Sequence, residues 1–271
     1  MKIGLIQMPV TSEKEKNLSY AVQSIGECSK QGAELIILPE MFMCPYSNKD
    51  FPFYAEQAGG QTWKTLSDAA KNNGVFLVGG SMPERDGTQI YNTSFVFDPA
   101  GNEIARHRKI HLFDIDIKGG QSFKESDVFS AGSSITIFEA LGIKIGLCIC
   151  FDLRFPELSR IMTLNEAQMI IVPAAFNMTT GPAHWELLFR QRAVDNQLYT
   201  VGVAPARDEK GPYISYGNSI VVSPWGDIVY RADEKPATVV IDIDLAMNQN
   251  IRSQLPLLSA RRTDLYKIEE I

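Results

Sequence analysis

The chain has 271 residues, with 32 acidic and 26 basic side chains and a formal net charge of −6. That balance argues against a general nucleic-acid binder, which carries a basic stripe, and the expected partner is a small anionic molecule held in a local basic pocket. Hydrophobic residues make up 45% and charged residues 21% of the sequence, enough to bury a core without disulfides or metals, and no apolar run reaches the ~18 residues of a membrane span.

The N-terminus, Met1-Lys2-Ile3-Gly4-Leu5-Ile6-Gln7, reads as a first strand and not as a signal peptide. Glu13–Gln31 then repeats apolar residues at Leu18, Val22 and Ile25, which predicts a helix with Ser12 as its N-cap. Continuously apolar Leu35–Pro39 predicts a strand buried on both faces. Thr62–Asn73 is the next helix, followed by strands at Val75–Gly79 and Thr93–Phe97 and a turn at Asp98-Pro99-Ala100-Gly101. Lys144–Cys150 is a strand, and Pro156–Leu164 is a helix whose proline suits a first turn. Strands at Met169–Val172, Thr200–Val203, Ser219–Ser223 and Thr238–Ile243 follow, with a helix at Ala183–Gln197 and a turn at Pro224-Trp225-Gly226-Asp227. The order predicts one α/β domain over residues 1–271, with mixed sheets and helices on the outer faces. Its charged tail, about 249–271, folds back or crosses onto a second subunit.

The four cysteines, Cys28, Cys44, Cys148 and Cys150, form no C-x-x-C pair and no zinc-ligand spacing, so a reduced, cytoplasmic protein with free thiols is expected. Cys150 closes the run Ile143-Lys144-Ile145-Gly146-Leu147-Cys148-Ile149-Cys150. Strand alternation places Cys148 and Cys150 on one face. A thiol at the carboxyl end of a strand, before a helix start, meets free backbone N–H groups that favour thiolate. Ligands of open α/β folds gather at such ends. A buried structural cysteine is the plain alternative for Cys150, and core packing is the reading for Cys148.

Glu40 closes the apolar strand at Leu35 and is either a surface charge or a semi-buried carboxyl with a raised pKa. Lys109 lies in Arg106-His107-Arg108-Lys109-Ile110-His111, which is either a solvated, anion-steering patch or the source of a cation beside a thiol and a developing oxyanion. There is no G-x-S-x-G, P-loop or G-x-G-x-x-G motif. A Cys–His hydrolase using His107, His111 or His184 stays open.

Taken together, Leu38-Pro39-Glu40-Met41-Phe42, Arg108-Lys109-Ile110-His111-Leu112-Phe113 and Gly146-Leu147-Cys148-Ile149-Cys150-Phe151-Asp152-Leu153-Arg154-Phe155-Pro156 resemble the nitrilase superfamily of carbon–nitrogen hydrolases, from Lys2 to about Tyr266. The resemblance implies a four-layer α-β-β-α sandwich, commonly a homodimer, needing no metal or cofactor. It implies Glu40 as general base, Lys109 as transition-state stabiliser, Cys150 as nucleophile and Glu125 as the residue that positions Lys109 and the substrate or water. A loop charge is the alternative for Glu125.

Cys44-Pro45-Tyr46, His111–Asp116, Ala175–Trp185 and Arg192–Gln197 are similar to the omega-amidase branch, which hydrolyses the terminal amide of α-ketoglutaramate and α-ketosuccinamate. On that similarity Arg154 and Thr180 bind the substrate's α-keto carboxylate end, Phe176 lines the pocket, Tyr46 sits near its mouth and the Phe151 backbone N–H joins the oxyanion site. The branch often has tyrosine where Phe151 stands. Alternatives are an Arg154–Asp152 ion pair, and core packing of Phe176 and Tyr46. Alternative functions are a deaminated glutathione amidase, an N-carbamoyl-amine hydrolase, or a redox sensor using Cys148 and Cys150.

Overall fold

The computed structural model describes residues 1–211 and 213–271. The first half runs β1 (Lys2–Gln7), α1 (Lys14–Lys30), β2 (Leu35–Ile37), α2 (Phe51–Tyr54), α3 (Gln61–Asn73), β3 (Phe76–Val78), β4 (Met82–Asp86), β5 (Gln89–Phe97) and β6 (Glu103–Arg108). A short β-ribbon follows, β7 (Asp114–Asp116) and β8 (Ser122–Lys124). The second half runs β9 (Thr136–Ala140), β10 (Ile143–Leu147), α4 (Pro156–Leu164), β11 (Met169–Pro173), α5 (Gly181–Asn196), β12 (Tyr199–Val203), β13 (Ile220–Val222), β14 (Ile228–Arg231), β15 (Ala237–Asp242) and α6 (Ala246–Gln254).

Two large mixed sheets result. One has the order β15-β1-β2-β3-β5-β4 with β6 also on β5, and the other the order β14-β13-β12-β11-β10-β9. β1, β2 and β3 are parallel, as are β10, β11 and β12, and antiparallel strands flank both runs. Alternation along the strands explains the layering. Ile3, Leu5, Leu35, Ile37 and Val78 of the first sheet meet Ile145, Leu147, Met169, Ile171 and Val201 of the second in one apolar cluster between the sheets. The opposite face of the first sheet, including Ile6, Ile36 and Leu77, packs on Leu18, Ile25 and Leu66 of α1 and α3. The opposite face of the second, including Ile170, Val172 and Val222, packs on Met162, Trp185 and Phe189 of α4 and α5. This is the expected α-β-β-α sandwich.

Some local expectations are corrected. The cap of α1 is Glu13, not Ser12, and makes no side-chain capping bond. The entry is tied instead through Asn17, whose Oδ1 accepts from the Thr11 N–H at 2.9 Å. β4, β7, β8 and β9 are strands that the apolar pattern does not predict, because β7 and β8 are exposed and β4 carries Pro83, Glu84 and Arg85. The start of the tail lies against its own chain, with Arg252 of α6 donating to the Gln197 carbonyl at 3.1 Å. No described helix is long and apolar enough to cross a membrane.

The close seat of α5 on β12 depends on Gly202, where an added Cβ would lie 2.3 Å from Cζ of the buried Phe189 ring. Gly202→Ala is therefore expected to destabilise the fold by about 1–3 kcal/mol. A lower urea midpoint with an unchanged slope would register this, and an unchanged midpoint would mean that the layer can give way.

Candidate active site

Parallel strands deliver three of the site's groups at their carboxyl ends. β2 stops at Ile37, and Leu38 and Pro39 carry the chain to Glu40, which is fully buried. β10 stops at Leu147, three residues earlier than the apolar run suggests. Cys150 therefore does not continue the strand's alternation. It opens a 3-10 turn over Cys150–Arg154 with φ of +46°, a left-handed conformation that β-carbon residues rarely adopt. Cys148 is buried in the apolar cluster beneath α4 and α5. β11 leads to Ala175, whose backbone acts to lower the Cys150 pKa.

Lys109 follows the last residue of β6 and is fully buried. Its backbone N–H donates to the Asn92 carbonyl at 2.8 Å. Its Nζ reaches Glu40 Oε1 at 3.0 Å, and Glu125 Oε1 at 3.0 Å and Oε2 at 2.9 Å. The anion-steering reading of this stretch fails: Arg106 and Arg108 are committed to Glu84 at 2.8–2.9 Å, and His107 and Lys109 turn inward.

Glu125 is fully buried just beyond β8, which overturns the loop-charge reading. Its Oε2 accepts from the Phe113 N–H at 2.7 Å, and its Oε1 from the Tyr46 hydroxyl at 3.3 Å. Asn92, on β5, is a fully buried member of the site that the sequence reading missed. Its Nδ2 lies 2.9 Å from Glu40 Oε1 and 3.2 Å from Glu125 Oε1. An amide in the buried half of a strand, one residue from Tyr91 and opposite Pro83, was the available signal.

Glu40 Oε1 is thus occupied, while Oε2 is buried without a hydrogen-bond partner among the described residues. The Cys150 thiol neighbours this carboxylate. Burial pushes the Glu40 carboxyl above the usual glutamate range, against the pull of Lys109 and with a further push from Glu125. Burial also pushes the Cys150 thiol well up, with Glu40 adding to it and Lys109 opposing. Burial and Glu40 thus act against the thiolate that chain position is expected to favour, which calls for a base beside the sulfur. For Lys109, burial acts to discharge the ammonium, but Glu125 and Glu40 outweigh it and hold the amine above the usual lysine range.

None of the three histidines bonds to Cys150 among the described residues, so the Cys–His alternative fails. His107 Nε2 and His111 Nδ1 lie 2.9 and 2.8 Å from the two oxygens of Asp152, and His184 Nδ1 lies 3.2 Å from Arg154 Nη1. Asp152 also accepts from the backbone N–H of Ile149 at 3.0 Å and of His111 at 2.8 Å. It braces the turn that presents Cys150, and it is not the partner of Arg154. Among the described residues Arg154 has no carboxylate within salt-bridge distance; its guanidinium stands 5.0 Å from the Phe176 ring and 5.6 Å from that of Phe151. Burial lowers the Arg154 pKa, with Cys150 acting in the opposite direction.

Thr180 precedes α5, where its N–H and hydroxyl both reach Asn177 Oδ1, and its carbonyl accepts from His184 N–H at 2.8 Å. Phe176 packs on Trp185 at 5.0 Å. A cavity of about 500 Å³ is walled by Glu40, Cys44, Tyr46, Ala175 and Tyr213. Tyr46 lies deeper than the mouth position expected of it, buried and reaching Glu125. Its ring stands 4.4 Å from that of Tyr213, a second wall residue that the sequence reading missed. Arg154, Thr180 and Phe176 do not wall this cavity.

A buried thiol beside a partly unpartnered carboxylate and a buried ammonium can perform nucleophilic acyl chemistry. The carbon–nitrogen hydrolase family model matches residues 2–253, and the chain belongs to that family. It is an enzyme of the nitrilase superfamily that hydrolyses carbon–nitrogen bonds. It is 47% identical over 268 residues to the omega-amidase NIT2 of Bos taurus, covering 99% of this chain and 97% of that one. It superposes on Nit3 of Saccharomyces cerevisiae, a member of branch 10 of the nitrilase superfamily, with a TM-score of 0.89 at 37% identity, covering 97% and 96% of the two chains. A Glu-to-Gln mutant of the amidase from Nesterenkonia sp. AN1 matches with a TM-score of 0.77 at 25% identity, covering 94% of this chain and 98% of that one; in that mutant acrylamide has added at the active-site cysteine.

Fully buried Asp152 is held well below the usual carboxylate range: burial raises its pKa, but hydrogen bonds from His107 and His111 outweigh that effect. A depressed folded-state pKa gives stability that is present above the unfolded value of about 3.9 and is lost as pH falls toward the folded one. Asp152→Asn should cost about 3 kcal/mol at pH 7. It should also flatten the loss of urea stability below pH ~4 relative to the parent. Parallel acid limbs in the two proteins would contradict this assignment.

Proposed function

We propose that the enzyme is an omega-amidase that hydrolyses the terminal amide of short α-keto dicarboxylic monoamides, α-ketoglutaramate and α-ketosuccinamate, through a thioester on Cys150. One observation carries the chemistry. Glu40 has one oxygen held by Lys109 and Asn92 and the other unpartnered, in a carboxylate beside the thiol.

Glu40 Oε2 takes the proton of the Cys150 thiol as the sulfur attacks the amide carbonyl carbon. Lys109 offers two N–H groups to the glutamates, and its third donates to the oxyanion. The Phe151 N–H is the second donor, at the first turn of the 3-10 segment, where backbone N–H groups lack intrahelical acceptors. Glu40 returns the proton to the departing nitrogen, and ammonia leaves a thioester. Glu40 then takes a proton from water; the hydroxide attacks the thioester carbon. Collapse frees the acid, and the proton returns to the sulfur. Glu125 holds Lys109 in place throughout.

Arg154 supports the substrate class. It is a half-buried guanidinium with no carboxylate partner among the described residues. A substrate carboxylate would fill that role, with the Phe176 ring beside it and Thr180 joining as the family resemblance implies. A charge-assisted bond of this kind is worth about 1.5–3 kcal/mol, enough to disfavour uncharged amides by one to two decades. The 47% identity to the bovine omega-amidase points the same way.

Cys150→Ala is expected to abolish ammonia release from α-ketoglutaramate, and Cys148→Ala largely to spare it; the reverse pattern would overturn the assignment of the nucleophile. Arg154→Met should reduce kcat/KM for α-ketoglutaramate by one to two decades and leave turnover of an uncharged amide within about threefold. Equal damage to both would argue against this substrate class.

A further inference from the structure

Glu40 and Glu125 each point Oε1 at the same two nitrogens. Lys109 Nζ is 3.0 Å from both oxygens, and Asn92 Nδ2 is 2.9 and 3.2 Å from them. The four atoms form a diamond of two carboxylate oxygens bridged by an ammonium and an amide. Because both acceptors are carboxylate oxygens, the nitrogen of the Asn92 amide, not its oxygen, must face them. That leaves Asn92 Oδ1 buried without a protein partner. The same residue fixes the Lys109 backbone through its own carbonyl, at 2.8 Å.

We infer that Asn92 is a positioning residue that keeps Glu40 ionised and directs its proton chemistry to Oε2. The inference rests on Glu40 acting as the base. Two carboxylates sharing one ammonium in a dry site repel each other, and the simplest relief is for one to bind a proton and stop being a base. Asn92 supplies two N–H donors, one to each Oε1, without adding a charge. Its donation also spares the third Lys109 proton for the oxyanion. With Oε1 of Glu40 occupied by two donors, Oε2 is the oxygen left to exchange a proton with sulfur, ammonia and water. The other titratable or charged groups acting on this carboxylate pair come from every side of the site: Lys109 after β6, Cys150 on the 3-10 turn, Tyr46 after β2 and Tyr213 after β12. None of them offers a neutral pair of donors.

The test is the pH profile of Cys150 alkylation by iodoacetamide, which needs no amide substrate, measured beside kcat/KM for α-ketoglutaramate. Both profiles should fall on the acid side as Glu40 binds a proton. In Asn92→Ala and in the isosteric Asn92→Asp, which replaces donors by acceptors, that limb should move up by about one pH unit or more in both assays. An acid limb that stays in place in folded variants, with activity lowered evenly at every pH, would overturn the inference. If Cys150→Ala removes both alkylation and turnover but the parent shows no acid limb, the assignment of Glu40 fails and the inference falls with it. If neither variant folds, the parent protein decides. Both side-chain amide protons of Asn92 should resonate downfield of a free amide and titrate with the alkylation limb, and amide signals that ignore that limb would overturn the proposal.

Discussion

The burial of the Lys109 ammonium is the constraint on which the site depends. An unpaired charge in that position would be discharged or would drag water into the layer. It is retained because Glu40 and Glu125 approach it from two different segments, the end of β2 and the turn after β8, while its backbone is held by Asn92 of β5. Three elements of the first sheet and the β7–β8 ribbon must therefore be in register before the charge is compensated. The exposed ribbon, which buries little apolar surface of its own, is placed by the reciprocal hydrogen bonds of Phe113 and Glu125.

The second sheet contributes the thiol under a different constraint. Leaving the strand at Leu147 and turning through a left-handed Cys150 costs conformational energy, and the Asp152 carboxylate offsets it. That carboxylate gathers the Ile149 N–H, the His111 N–H and two imidazoles. Of the three histidines that a sequence reading could assign to catalysis, His107 and His111 brace this turn through Asp152, and His184 reaches Arg154. Both thiols of this short run belong to one buried cluster, and the neighbouring Glu40 carboxylate sets Cys150 apart as the one whose proton a base can take.

Much of the architecture was legible because it rests on apolar periodicity. The runs at Leu35, Lys144, Met169 and Thr200 are strands buried on both faces, and the intervening helices lie close to their predicted bounds. The Glu40, Lys109 and Cys150 positions were legible from their motifs. Asn92 was not, because its role depends on two carboxylates brought from positions 40 and 125, a juxtaposition without local signature. Tyr213 was missed for the same reason: it meets Tyr46 across the cavity from a distant loop. β7 and β8 escaped because an exposed two-stranded ribbon has no buried face to impose alternation.

The unequal exposure of the site's two cations has a consequence for solution behaviour. Mobile ions cannot approach the fully enclosed Lys109, so its electrostatics are shielded from the composition of the buffer. Arg154, only half-buried, remains within reach of the ionic atmosphere. If Arg154 receives the substrate carboxylate as proposed, ionic strength would act on the capture of that molecule and leave the enclosed bond-making groups untouched.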